Sequence, residues 1–137
     1  MDITINWWAV IVAAISNMVI GFLWYGPLFG KAWVREMGWT PQAMEEARKK
    51  SMAPMYILTF IGALLMSFVL QRCADYMGAM TVAGALQLAL WTWLGFFVPA
   101  SFSQVTWEGK SKTLWILNVS YYLVTLAVAA LILTKWN

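Results

Sequence analysis

The sequence predicts an all-α integral membrane protein, a four-helix bundle with a short cytoplasmic helix between its first two spans. Hydrophobic residues make up 62% of its 137 residues and charged residues only 11%, whereas about a quarter of the residues in ordinary globular domains are charged. Charges are absent from four runs, at residues 3–30, 51–71, 76–107 and 113–134. Each run is longer than the about 20 apolar residues with which an α-helix crosses a bilayer core.

A water-soluble bundle is the alternative, and the placement of the charges argues against it. Helices that cover a soluble core keep a polar face, but no face of these four runs carries a charge. The net charge of +3 does not indicate a nucleic-acid partner, because the basic residues flank the apolar runs and form no separate patch. The predicted surroundings are a lipid bilayer.

The chain is expected to be one transmembrane domain over residues 1–137. The predicted spans lie at about 7–25, 55–71, 78–98 and 113–134. A cytoplasmic loop at 26–53 contains a short solvated helix, which Thr40 and Pro41 begin as cap and first helical residue. Whether residues 99–107 form helix, loop or a re-entrant turn stays open, because Pro99 interrupts a run that remains uncharged.

The distribution of Lys and Arg predicts the orientation. Seven of these residues lie in the loops after the first and third spans, whereas the opposite side carries Arg72 and Lys135. The positive-inside rule then places both termini on the non-cytoplasmic side of a cell (inner) membrane. Since the N-terminus lacks the basic region of a cleaved signal peptide, the first span is expected to be retained.

Small and polar residues at helical spacing predict which faces pack, since helices in lipid associate through small side chains and interhelical hydrogen bonds. The predicted stripes are Ala9, Ala13, Asn17 and Gly21; Thr59, Ala63 and Ser67; Ala79, Ala83 and Gln87; and Asn118, Tyr122, Thr125 and Ala129. These faces are expected to contact protein, and the remaining faces, rich in Leu, Ile, Val and Met, to contact lipid.

The strongest polar groups within the spans are Asn17, Gln87 and Asn118. They either line a solute path or form interhelical hydrogen bonds of about 0.5–2 kcal/mol each, and the second role is the commoner one. Gln104 is the better functional candidate. It follows Pro99, whose break frees backbone carbonyls that protein or water must satisfy at membrane depth; an ordinary interfacial helix end is the alternative.

The segment WYGPLFGKAW at 24–33 is a second candidate site. Trp24, Tyr25, Phe29 and Trp33 are expected to form an aromatic collar at the cytoplasmic interface. The alternative is a cradle for a headgroup or ligand, with Lys31 and Arg35 on its phosphate. The candidate binding residues are therefore Asn17, Gln104, Asn118, Trp24, Tyr25, Lys31 and Trp33.

This segment, with Asn6-Trp7 before the first span and Met37-Gly38 after it, resembles the DUF1761 family, bacterial four-span membrane proteins of unknown function. The resemblance extends over the whole chain. It implies the four-span fold and no activity.

One short pattern occurs twice in the chain and would fit an internal repeat. A glycine, an apolar pair and then a proline occur at 21–27 and at 95–99, near the ends of two odd-numbered spans. Transporters use repeats related by an axis along the membrane normal. Because the spacing from glycine to proline differs between the two segments, we interpret the repeated pattern as coincidence.

No catalytic constellation is visible, so neither an enzyme nor a cofactor is predicted. The chain has no histidine, one cysteine (Cys73) and no charge inside a span. Zinc, haem and dithiol sites lack ligands, and ion-coupled carriers generally place a charge within the membrane. Cys73 has no intramolecular disulfide partner, and its role stays open.

Two functions are favoured over a third, a membrane enzyme that acts on lipid through the aromatic collar and Glu108. The first is an oligomeric channel or permease for a neutral or weakly polar solute, without proton coupling. The second is an accessory or scaffolding subunit that binds a membrane-protein partner through its small-residue stripes and its solvated helix. A homo-oligomer is expected, because the many methionine and aromatic residues leave apolar surface for further packing.

Overall fold

The computed structural model describes residues 6–49, 53–78 and 81–136, and its regular structure over these residues is helical. Four helices are long and apolar enough to cross a membrane: α1 (Trp7–Leu28), α4 (Ala53–Met77), α5 (Val82–Thr106) and α6 (Lys112–Lys135). Two short helices, α2 (Gly30–Met37) and α3 (Pro41–Lys49), connect the first two spans. The predicted all-α membrane bundle of four spans is confirmed.

The two ends of the chain meet at one end of the bundle. Asn6 caps α1 by accepting a hydrogen bond from the Ala9 amide (3.2 Å), and its Nδ2 donates to the Trp136 carbonyl at 2.6 Å. We call this end, with the α4–α5 loop, the terminal end. The opposite end carries α2, α3 and the α5–α6 loop with Lys110, and we call it the basic end.

The last span is the centre of the bundle. Helix α6 packs against α1, α4 and α5, and α1 also packs along α4, whereas α4 and α5 make little direct contact. Alanines bring these helices close together, each at most 1% exposed: Ala9, Ala13, Ala14, Ala85, Ala89, Ala129 and Ala130. Small side chains let backbones approach, which is how helices gain packing energy in lipid.

The predicted packing stripe is right for α1 and wrong for α5. Ala83 and Gln87 are exposed, and Ala85 and Ala89 face α6 instead. Both pairs have helical spacing, but burying the alanine pair leaves no amide to be satisfied in the core. Ala79, which was placed in the same stripe, lies outside the described residues.

The stripe predicted on α4 is also partly wrong. Ala63 and Ser67 are buried as predicted, but Thr59 is exposed. Its hydroxyl donates to the Met55 carbonyl one turn earlier, at 2.7 Å. Because this bond within the helix satisfies the hydroxyl, Thr59 needs no partner from a neighbouring span.

Two spans contain a π-helical turn, at Trp24–Leu28 in α1 and at Trp93–Phe97 in α5. A π turn adds one residue to a helical turn and is frequently found at functional sites. Both turns lie towards the basic end of their span, which places them beside the start of α6.

Residues 99–107 continue α5 as short helical segments, Val98–Ser101 and Ser103–Thr106. Pro99 lacks the amide hydrogen that an α-helix needs, and its ring crowds the carbonyl four residues earlier. The π turn directly before it widens the helix there, and the Ser101 hydroxyl donates to the Phe97 carbonyl at 2.6 Å. This bond satisfies the serine hydroxyl within the helix just beyond the proline.

Candidate functional site

Three uncharged polar side chains from three spans meet near the basic end. The Tyr25 hydroxyl of α1 donates to Asn118 Oδ1 of α6 at 2.7 Å. Asn118 Nδ2 lies 3.4 Å from Gln104 Oε1 of α5, a long hydrogen bond. All three side chains are half-buried. The structure thus brings together three of the residues predicted from the sequence, and we call them the amide cluster.

Two tryptophans hold α6 in place beside this cluster. Trp24 Nε1 donates to the Leu117 carbonyl at 3.1 Å, and Trp93 Nε1 donates to the Val119 carbonyl at 2.7 Å. These carbonyls are two residues apart, about 200° around a helix. The tryptophans of α1 and α5 therefore bind opposite faces of α6. Since a backbone carbonyl has two lone pairs, each can accept the indole in addition to its helical bond.

Each of these two tryptophans begins a π turn, and this gives a different alignment of the repeated pattern in the sequence. The turns begin with Trp24-Tyr25-Gly26 and with Trp93-Leu94-Gly95. The two segments therefore align with Trp24 at the position of Trp93. The repeated pattern in the sequence instead aligns Gly21 with Gly95. The structural correspondence lies in the π turn and the indole bond to α6.

The aromatic residues expected in the collar contact one another in pairs, Trp24 with Phe29 and Tyr25 with Trp33. The Trp33 ring of α2 lies edge-on to Tyr25, with ring centres 6.1 Å apart, and 5.4 Å from Trp39. Lys31 is exposed, and Arg35 lies 3.6 Å from Glu36. The two basic residues proposed for a phosphate cradle are therefore a solvent-facing lysine and an arginine that already has an acidic neighbour.

Tyr121 connects the amide cluster to the interior of the bundle. Its ring lies 5.1 Å from that of Tyr25, and its hydroxyl donates to the Asn17 backbone carbonyl at 3.2 Å. Gly21 makes room for this hydroxyl, because a Cβ at Gly21 would lie 2.8 Å from it. Tyr121 is not among the residues predicted from the sequence, although a tyrosine pair well inside a charge-free run is a usable signal.

A pocket of about 220 Å³ lies beyond Tyr121, between α1, α4 and α6. Its walls include Asn17, Thr59, Gly62, Met66, Tyr121 and Thr125. Asn17 is 4% exposed, and its side-chain Oδ1 is buried without a hydrogen-bond partner. Such unpaired buried atoms are rare in proteins and require an explanation.

Within the described part of the chain, no group of three or more His, Cys, Asp or Glu side chains lies close enough to hold a metal ion. Cys73 is an exposed free thiol on α4. The chemistry available at the site is hydrogen bonding by amide and hydroxyl groups, together with aromatic contact.

Comparison with known proteins identifies the family. A family model described as "Protein of unknown function (DUF1761)" matches residues 8–134. The chain belongs to this family. The DUF1761 match contains both π turns, the amide cluster and the pocket, so all of the candidate site lies within the family domain.

One curated protein is similar to this DUF1761 chain, a UPF0591 membrane protein of Schizosaccharomyces pombe. It is 27% identical over 85 residues, which are 61% of this chain and 57% of that protein. The chain thus matches little more than half the length of its curated relative. No solved structure matches.

Proposed function

We propose that this DUF1761 protein is a permease or channel for a neutral, weakly polar solute, without proton coupling. The observation that supports the proposal is a row of uncharged polar groups that leads from the basic end into the bundle. We call it the polar row, and its members in order are Gln104, Asn118, Tyr25, Tyr121 and Asn17. Consecutive members are joined by the hydrogen bonds and the ring contact given above.

The chemistry of the row favours a neutral solute. Its members are three amides, one of them at the pocket, and two phenols, and none is an acidic or basic residue. A charged solute at this depth needs a compensating charge, and no member of the row is an acidic or basic residue. Amides and hydroxyls both donate and accept, so they can exchange hydrogen bonds with a polar molecule as it passes.

The row ends at the pocket, and large apolar side chains pack in the terminal half of the bundle. They include Val10, Leu126 and Leu133, each at most 1% exposed. Small alanines of α1 and α6 belong to the same cluster. In the proposed permease, passage of a solute therefore requires α1 and α6 to separate in this half.

Removing the central amide of the row is expected to abolish flux. Asn118→Leu deletes the bonds to both Tyr25 and Gln104, and we expect flux of urea and glycerol into proteoliposomes to fall by about ten-fold or more, as for the loss of more than one hydrogen bond. Stopped-flow light scattering measures this flux. Gln87→Leu is the matched control, because it removes an exposed amide from a spanning helix.

For that pair of variants, equal flux through Asn118→Leu and the wild type contradicts the proposal. So does the absence of flux for every neutral solute tested.

The orientation is part of the proposal: the basic end faces the cytoplasm of a cell (inner) membrane, as the bias of Lys and Arg favours. The single thiol makes this measurable. Cys73, exposed near the terminal end of α4, is expected to react with a membrane-impermeant maleimide in intact cells. A second thiol from Glu108→Cys in a Cys73→Ser background is expected to react only after permeabilisation; the reverse pattern inverts the orientation.

An accessory-subunit role is the second candidate, and α3 is the observation that favours it. This helix carries several exposed charged residues and makes no extensive contact with the other described helices. Such a helix is available to a membrane-protein partner. The proposed permease, by contrast, is expected to form a homo-oligomer, in which further copies enclose the polar row.

Native mass spectrometry after purification from native membranes separates these two proposals. We expect masses that are whole multiples of 15.5 kDa, with bound lipid. A stoichiometric heterologous protein supports the accessory role instead, and a single copy that persists in lipid nanodiscs contradicts the homo-oligomer.

A further inference from the structure

The pocket beside Asn17 lies well within the membrane-spanning part of the bundle. Asn17 occupies the middle of α1, between the tryptophans that flank this span. The pocket volume of about 220 Å³ is below the about 300–1,000 Å³ of sites for drug-sized ligands. With about 30 Å³ per water molecule in the liquid, this volume suits a molecule of a few heavy atoms.

The neighbouring hydroxyl groups do not satisfy the Asn17 oxygen. Tyr121 donates to the backbone carbonyl of Asn17, and not to its side chain. The Thr125 hydroxyl donates to the Tyr122 carbonyl at 3.0 Å, and the Thr59 hydroxyl donates within its own helix. Asn17, which lines the pocket, therefore carries a buried hydrogen-bond acceptor that none of these three hydroxyl groups satisfies.

We propose that this pocket binds a small neutral molecule through an N–H or O–H group that donates to Asn17 Oδ1. The inference rests on the proposed permease function, because it names the class of solute that the polar row would deliver to the pocket: primary amides, ureas and small polyols. An anion is disfavoured by the acceptor, and a cation by the lack of an ionised partner. Apolar walls such as Met66 suit the carbon part of the molecule.

A pair of amides tests the requirement for a donor. Acetamide carries two N–H donors, whereas N,N-dimethylacetamide has the same carbonyl and none. Saturation-transfer NMR with the full-length protein in lipid nanodiscs is expected to show acetamide binding about ten-fold tighter than dimethylacetamide, as for one buried hydrogen bond. Asn17→Leu is expected to remove this preference, and Gln87→Leu to leave it unchanged.

A second variant covers the case in which Asn17→Leu does not fold. Gly62 lines the pocket, and a Cβ added there meets nothing within 4 Å. Gly62→Leu is therefore expected to occlude the pocket without a clash in the backbone, and to weaken acetamide binding by a similar factor. Retention of acetamide binding in a folded Gly62→Leu protein overturns the assignment of the site.

The outcomes separate this inference from the proposed function. Equal binding of the two amides, or a preference that survives Asn17→Leu, overturns the inference even where urea and glycerol flux is observed. A donor-dependent preference that Asn17→Leu removes supports the inference even where no flux is observed, and the permease proposal then fails alone.

Discussion

Replacing Gly21 with alanine is expected to destabilise the protein, although the same change at an open helical position stabilises. The new Cβ would lie 2.8 Å from the Tyr121 hydroxyl, which is held by the Asn17 carbonyl. Overpacking of this kind costs about 1–3 kcal/mol, against the about 1 kcal/mol that alanine gains over glycine in a helix. We expect the free energy of unfolding, measured by SDS titration in mixed micelles, to fall by up to about 2 kcal/mol.

A double-mutant cycle with Tyr121→Phe shows whether the hydroxyl is the cause. Without that oxygen, the nearest ring atom to a Cβ at Gly21 is Cζ at 3.5 Å, an ordinary contact. Gly21→Ala is therefore expected to be neutral or stabilising in the Tyr121→Phe background, with a coupling energy of about 1 kcal/mol or more.

The control for this cycle is Gly62→Ala on α4. A Cβ at Gly62 has open space around it, so this change is expected to leave stability unchanged or to raise it. If Gly21→Ala and Tyr121→Phe are additive instead, Tyr121 does not press against α1 as described, and the link between the amide cluster and the pocket is wrong.

The fold could be predicted from the sequence because the bilayer imposes a strong constraint on it. A charged group costs several kcal/mol at the bilayer centre, and an apolar helix must be about 20 residues long to cross it. The positions of fifteen charged residues thus indicate four spans. The stripe of Ala9, Ala13 and Asn17 was likewise predictable, because α1 is regular over this stretch.

The packing of α5 could not be predicted in the same way. Its sequence offers two small-residue faces with the same spacing, one through Ala83 and Gln87 and one through Ala85 and Ala89. Only the shape of the neighbouring α6 selects between them. Gln87 favours an interhelical hydrogen bond on the basis of its polarity, but an amide near the terminal end of its span can face outwards.

The candidate site was predicted in part, and the π turns explain why. Predicting which residues share a helix face from their spacing assumes 3.6 residues per turn. Each π turn adds a residue, which rotates the side chains that follow it by about 100° around the helix axis. Gln104 lies beyond the turn at Trp93–Phe97, and Tyr25 lies inside the turn at Trp24–Leu28. Their polarity marked them as candidates, but their meeting at Asn118 depends on the two turns.

Replacing both tryptophans that donate to α6, Trp24 and Trp93, is expected to cause a large loss of stability. Trp24→Phe and Trp93→Phe each delete an indole bond to a carbonyl of α6. Interhelical hydrogen bonds in membranes contribute about 0.6 kcal/mol on average and up to about 1.7 kcal/mol, and the smaller ring adds a loss of packing. We expect each variant to lose about 1–2 kcal/mol and the double variant about 2–4 kcal/mol in the same SDS titration.

Trp91→Phe provides the matched control, because Trp91 is 64% exposed on the same helix as Trp93. It makes the same chemical change two residues away without a described bond to α6, so its effect is expected to stay below about 0.5 kcal/mol. Since Trp24 and Trp93 hold opposite sides of α6, losing either one frees only one side, and the two losses are expected to add. A double variant as stable as either single variant contradicts additivity. A double variant as stable as the wild type shows that α6 is positioned by its alanine contacts alone, and that the π turns serve a purpose other than holding it.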